Sequence, residues 1–252
     1  MNSRKPQRSS NRPGWAQLEI VLALGFLGLT ASPLAAQPAG PNVALLDEIA
    51  KNAGRVESVF TRFVQERHLS LFQEPLRSEG CLCFQKPGRI RWEVTQPYQS
   101  ILVSDGRTVA QFERVGDQWK KLDLGAEAAV QNVVSQIGGI MGGGYASSQR
   151  DYSVTATNAA DGLVLTLAPR NPAMRKMMQA IEIHLAPDFR ATRRVVLHEA
   201  NGDFTDIHFS EQVAEPALPT GTFDCSRPVA LEQILEAVQR RKANSAEKAG
   251  TP

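Results

Sequence analysis

The sequence lacks the short motifs that mark the best-known enzyme classes. It has no G-x-S-x-G nucleophile elbow, no H-E-x-x-H pair and no P-loop. Its three cysteines and four histidines contain no pair at the spacing that holds zinc. These absences exclude the hydrolases, metalloproteases and nucleotide hydrolases defined by those motifs. We predict no catalytic residue, no metal site and no cofactor.

The chain also lacks a bias of charge. Its 28 Lys and Arg residues against 26 Asp and Glu residues leave a formal charge of +2. Nucleic-acid binding usually requires a strong basic excess, so we predict no nucleic-acid partner. The glycine-rich run at 138–144, GGIMGGG, has no following Lys and Ser/Thr pair to hold phosphate. It is either the flexible end of a lid helix or a plain loop.

No apolar run is long enough to span a bilayer comfortably, which takes about 20 residues. Residues 1–17 include several Arg and Lys residues and no Asp or Glu. The short apolar run Ile20–Leu29 follows, and small residues come after it. This order is typical of a signal peptide, predicted over residues 1–36 with cleavage near Ala36. An uncleaved anchor is the alternative. Residues 37–41 then form a short linker, and the predicted location is the periplasm.

Few cysteines remain to form disulfides in that oxidising compartment. Cys81 and Cys83 are two residues apart on a predicted strand, so they share one face and would bond each other only with distortion. The simplest prediction pairs one of them with Cys225 and leaves the other as a free thiol.

Most of the chain beyond Leu69 alternates apolar and polar residues between tight turns such as Asp105-Gly106. This pattern predicts a mainly β, antiparallel fold. A helix is predicted from Asn42 to about Gly54, with a strand around Phe60–His68. The last segment, 226–252, is predicted to be an amphipathic helix followed by a disordered tail.

One helical stripe interrupts the strands within residues 126–141, where Val133, Val134, Ile137 and Met141 recur at helical spacing. Such a helix could cover a filled core or an apolar space, and composition does not separate the two. Methionines here and at 174–178 would suit a ligand of variable shape.

The segment from Lys86 to Arg107, KPGRIRWEVTQPYQSILVSDGR, carries a resemblance to a known family. Lys86-Pro87, Trp92, Pro97 and the run ILVSDG, together with Phe63, Gln65 and Gly80 upstream, resemble the LolA family of periplasmic outer-membrane lipoprotein carriers. The resemblance covers roughly residues 42–224. Its W…P…ILVSDG core is the specific part, and its later strands are generic.

The resemblance implies a single strongly curved antiparallel sheet, an unclosed β-barrel with a helical lid, in a carrier domain at 42–225. Such a protein would act as a monomeric chaperone. It would take lipoproteins from an inner-membrane release transporter to an outer-membrane receptor. The expected lipid-binding cavity comprises Phe63, Ile90, Trp92, Val94, Leu102, Val133, Val134, Ile137 and Met141.

The sequence departs from the family at several points. The family usually has Arg where this chain has Lys86, and that Arg is thought to hold the lid shut through backbone carbonyls. Lysine keeps the charge without the planar fork, so its grip is expected to differ. The segment 68–84 also differs from the best-known carriers. A non-protein lipid, a glycolipid or a polyketide-like tail is therefore an alternative cargo. A lipid-modifying enzyme that uses a strand histidine is a third hypothesis.

Overall fold

The computed structural model describes residues 43–124, 138–139 and 149–249. Within them the chain forms one antiparallel sheet of 11 strands and three helices. The strands are β1 (Ser58–His68), β2 (Leu76–Gln85), β3 (Arg89–Gln96), β4 (Ser100–Ser104), β5 (Val109–Val115), β6 (Gln118–Leu122), β7 (Tyr152–Ala159), β8 (Gly162–Pro169), β9 (Met178–Leu185), β10 (Thr192–Glu199) and β11 (Phe204–Ala214). The helices are α1 (Val43–Ala53), α2 (Pro172–Arg175) and α3 (Leu231–Ala249).

The strand order joins two consecutive meanders through the first and last strands. It runs β6-β5-β4-β3-β2-β1-β11-β10-β9-β8-β7, so β6 and β7 are the two edges and the sheet does not close. Strands β1 and β11 pair from Val59 opposite Ala214 to His68 opposite Phe204. This confirms the predicted fold class, a strongly curved, unclosed antiparallel sheet.

Helix α1 covers one half of what we call the inner face of the sheet. Its buried Leu46 and Ile49 pack on side chains of β7 to β10, including Leu165 and Ile183. These positions alternate along each strand, so the apolar side of four strands meets one helix. The inner face of this half is therefore filled by the protein itself.

Helix α3 covers the opposite, outer face over β1 to β5. Its Ile234 and Val238 pack with Phe60, Val103 and Phe112 of the sheet. The helix runs to Ala249, so residues Lys242 to Ala249, which the sequence predicted to be disordered, are helical in the structure. Alanine, glutamate and lysine in this segment favour helix even without a buried face.

A buried ion pair lies under the segment that leads into α3. The Arg91 guanidinium donates from Nε and Nη2 to Glu93 Oε2 at 2.9 and 2.7 Å. Arg91 Nη2 also donates to the carbonyl oxygen of Val229 at 2.8 Å. Because residues alternate along β3, Arg91 and Glu93 lie on the face opposite Trp92, and both are buried there.

The three cysteines are free thiols, so the predicted bridge to Cys225 is not formed in this structure. Cys83 is paired with Arg91 on β3, and Arg91 with Val103 on β4. Cys225 Sγ lies 3.6 Å from the carbonyl oxygen of Val103. Two strand spacings of about 4.8 Å separate Cys83 from the strand that Cys225 contacts, which exceeds the reach of a disulfide.

Alkylation should distinguish these thiols. Burial raises the pKa of Cys81 to about 12 and raises that of Cys83 well above its ordinary value, so neither forms a thiolate in the native protein. We expect iodoacetamide to modify only the partly exposed Cys225 before unfolding, and all three cysteines after unfolding without reductant, as read by mass spectrometry. Two cysteines protected after unfolding would instead show a bridge.

The predicted signal peptide and linker lie outside the described residues, as do Val133, Val134, Ile137 and Met141 of the predicted lid stripe. In the parts of the chain that are described, no helix combines the length and apolar character needed to cross a membrane.

Candidate functional site

The inner face of β1 to β5, with one residue of the neighbouring β11, carries a cluster of contacting apolar side chains. It contains all five of the strand residues that the sequence assigned to a lipid cavity: Phe63, Ile90, Trp92, Val94 and Leu102. Each is buried and each points to the same side as α1, because directly paired residues of an antiparallel sheet share a face. We call the buried apolar cluster to which these five residues belong the inner wall.

Five further members of the inner wall were not predicted. They lie on the inner face of the sheet. Alternation along β2 could have identified Leu82 and Phe84, which pair with Trp92 and Ile90 of β3. The five are Val59, Leu82, Phe84, Val109 and Ile207.

Gly80 allows the aromatic centre of the wall to form. A Cβ at this position would lie 1.9 Å from the carbonyl oxygen of Glu93 and 2.8 Å from Phe63 Cζ. With hydrogen in its place, the Phe63 ring lies over β2 and meets Trp92 on β3, with ring centroids 4.3 Å apart. The glycine of the sequence motif is thus a site of close approach.

Phe209 connects this wall to the half of the sheet that α1 covers. Its ring meets Trp92 edge-on at 6.4 Å between centroids, and it packs against both apolar clusters of the inner face. The sequence treated its strand as generic, since nothing local distinguishes a residue that spans two clusters.

Gly138 shows where the predicted lid segment meets the sheet. A Cβ built on it would lie 3.5 Å from Ile90 Cδ1 and 3.8 Å from Phe84 Cε2. Gly138 therefore lies on the inner wall over β2 and β3.

Lys86 lies at the turn between β2 and β3, beside the end of α1. Its Nζ donates to the carbonyl oxygen of Gly54 at 2.7 Å and lies 3.5 Å from Glu57 Oε1. Gly54, the backbone carbonyl partner of Lys86 among the described residues, comes directly after the last residue of α1.

The four histidines lie on the outer face of β1, β9, β10 and β11, where Val64, Arg194 and His208 share a row. Each has a carboxylate within 3.9 Å; His198 Nε2, for example, is 3.1 Å from Glu182 Oε1. They are His68, His184, His198 and His208. A molecule held on the inner wall would have the sheet between itself and every histidine, so the hypothesis of a histidine enzyme gains no geometric support.

An open sheet with an apolar wall on half of its inner face defines a class of proteins that hold apolar ligands against a curved sheet. The family model described as outer membrane lipoprotein carrier protein LolA matches residues 54–226. The chain belongs to the LolA family.

Curated relatives named outer-membrane lipoprotein carrier protein resemble the chain at low identity. The protein of Bordetella avium is 25% identical over 189 residues, covering 75% of this chain and 86% of its own. That of Psychromonas ingrahamii is 25% identical over 214 residues, covering 85% and 97%. That of Bordetella pertussis is 30% identical over 166 residues, covering 64% and 71%.

Two solved structures give distant matches. A LolA superfamily protein from Nitrosomonas europaea is 11% identical with a TM-score of 0.38, covering 71% of this chain and 96% of its own. The crystal structure of MucB is 15% identical with a TM-score of 0.40, covering 72% and 61%.

Proposed function

We propose that this protein carries lipoproteins across the periplasm by holding their acyl chains against the inner wall. The observation that supports this most is the continuity of the wall from Phe63 through Trp92 to Leu102, with no charged side chain among its members. Each CH₂ group removed from water contributes about 0.8 kcal/mol, so a triacylated cargo cannot cross an aqueous compartment uncovered.

The proposal includes the two ends of the journey. An inner-membrane release transporter would load the carrier, and an outer-membrane receptor would accept the cargo. The names of the curated relatives and the basic–apolar–small order of residues 1–36 support this route. We also propose that the carrier works as a monomer.

Photo-crosslinking tests the site. A photoreactive phenylalanine analogue replaces Trp92 on the inner wall, and a matched variant carries it at Trp119, which packs on the outer-face cluster. With palmitate-labelled lipoproteins released from inner membranes, we expect labelled adducts from position 92 and not from position 119. Equal labelling at the two positions, or none from well-folded protein, would refute acyl binding at the wall.

The same adducts separate the two kinds of cargo. Mass spectrometry of the product from position 92 should show a lipidated polypeptide. An adduct with a lipid or glycolipid that carries no polypeptide would replace the lipoprotein with the alternative cargo and leave the wall as the binding site.

We propose that Lys86 serves as a latch at the edge of the inner wall, where its bond to Gly54 holds the chain that follows α1. Lys86→Met keeps the aliphatic stem and removes the donor, so we expect a loss of about 1–2 kcal/mol in the free energy of unfolding and stronger binding of an apolar fluorescent dye. Lys86→Arg restores the family residue and should bind dye as the parent does. Unchanged dye binding in Lys86→Met would contradict the latch.

A further inference from the structure

The most exposed large apolar side chains of the described residues all lie at one end of the sheet. Leu71 and Phe72, on the β1–β2 hairpin loop, are 87% and 54% exposed. Leu76 begins β2, Tyr98 lies in the β3–β4 turn, and Met177 precedes β9, all at this same end. We call this set the apolar rim. It belongs neither to the inner wall nor to the cover formed by α3.

Hydrogen bonds fix the loops of the rim to one another. The Ser70 backbone N–H donates to Asp203 Oδ1 at 2.7 Å, and the Ser70 hydroxyl donates to the same oxygen. In the next loop, the N–H of Ala200 donates to the carbonyl oxygen of Met177 at 3.1 Å. The hairpin loop, the β10–β11 turn and the segment before β9 are thus linked, so their apolar side chains are presented together.

Two exposed cations adjoin one member of the apolar rim. Arg175 and Lys176 are exposed directly before Met177, and neither forms an ion pair with a carboxylate of the described residues. At the same end, Glu199 pairs with Arg67 at 3.2 Å, and Asp203 is engaged by Ser70. Glu74 is the exposed acid of the hairpin loop.

This combination fits a lipid surface better than a folded protein partner. The apolar side chains stand on separate loops and turns rather than on one flat patch, whereas a standard protein interface buries about 800 Å² on each side. Apolar side chains that enter the headgroup region, flanked by cations that meet lipid phosphates, are the usual chemistry of interfacial binding.

We propose that the apolar rim docks the protein reversibly on an anionic bilayer surface, with Leu71 and Phe72 entering the headgroup region and Arg175 and Lys176 meeting phosphates. This rim and the inner wall are separate surfaces. Vesicle binding and crosslinking at Trp92 are therefore separate readouts, and either can fail without the other.

Vesicle flotation of the chain without residues 1–36 tests the proposal, using phosphatidylcholine vesicles with and without phosphatidylglycerol. We expect binding to the anionic vesicles that weakens as salt is raised to about 0.5 M, because the Debye length is then well below the roughly 10 Å of 0.1 M salt. The paired change Leu71→Ser and Phe72→Ser should weaken binding at least about tenfold. Arg175→Gln with Lys176→Gln should weaken it about tenfold, and Glu74→Gln should strengthen it by about fivefold.

Arg89→Gln with Arg107→Gln provides the matched control, because both arginines are exposed at the opposite end of the sheet. Its binding should equal that of the parent. Circular dichroism and urea unfolding confirm that each variant folds. The proposal is overturned if the folded parent binds neither vesicle, or if loss of Leu71 and Phe72 leaves binding unchanged. It is also overturned if their loss impairs only transfer to a purified protein receptor.

Discussion

Glu93→Leu should lower the free energy of unfolding by about 3–5 kcal/mol, measured by urea denaturation, because it leaves the buried Arg91 guanidinium without its carboxylate. Two hydrogen bonds from Arg91 end on Glu93 Oε2, and the Arg91 side chain is only 1% exposed. Burial raises the pKa of Glu93 in spite of the lowering by Arg91, which shows how strongly this position disfavours charge. Without Glu93, the buried charge of Arg91 would have no opposite charge to offset its loss of solvation.

The paired change Arg91→Met and Glu93→Leu is the control for this prediction. Because it removes both charges and keeps similar volume, most of the lost stability should return. A double variant as unstable as Glu93→Leu would instead locate the loss in packing. A single variant within about 1 kcal/mol of the parent would contradict the argument altogether.

The pair also helps to explain why α3 lies where it does. Arg91 Nη2 donates to Val229, two residues before α3 begins, so β3 holds the chain at the entrance to the helix. Apolar contacts with Ile234 and Val238 then cover the outer face. Apolar contacts alone would allow α3 to shift along the outer face, whereas the hydrogen bond from Arg91 to Val229 favours one position.

The sequence predicts the local parts of the fold well. Alternation in β3, with Ile90 and Trp92 on one face and Arg91 on the other, follows from strand geometry alone. The turn at Asp105-Gly106 has the backbone that such a pair favours, with Gly106 at a φ of 93°. These features depend only on neighbours in the chain.

Features that depend on distant segments were not predictable in the same way. Pairing of β1 with β11 joins Val59 to Ala214, and no local pattern identifies that partner. The burial of Arg91 depends on a segment near Val229. The missing disulfide has the same cause, since shared outer-face location does not reveal that β3 lies between Cys83 and the strand that Cys225 contacts.

The candidate site divides along similar lines. Family resemblance and alternation together found the centre of the inner wall, including Phe63 and Trp92. They missed Ile207 and Phe209, because β11 becomes a neighbour of β1 only in the folded sheet. The exposure of Leu71 and Phe72 could not be predicted from the sequence either. Leucine and phenylalanine also form the core, and only the folded hairpin shows that these two side chains face water.

Phe63→Ala should lower the free energy of unfolding by about 3–5 kcal/mol, because it empties space between Gly80 and Trp92 in a packed region. Phe63 is 1% exposed, and its ring contacts Trp92 at 4.3 Å between centroids. Urea denaturation measures the loss. The same change should weaken the binding of acyl chains, since Phe63 belongs to the inner wall. A binding assay with a labelled fatty acid measures this affinity.

Phe60→Ala is the matched control, three residues away on the same strand. Phe60 is also 1% exposed, but it packs in the outer-face cluster with Val103 and Ile234. We expect a similar loss of stability and, at a temperature where both variants are folded, fatty-acid binding equal to that of the parent. If both variants lose binding in proportion to stability, the inner wall has no special role. If only Phe63→Ala changes binding, the ligand contacts the inner face.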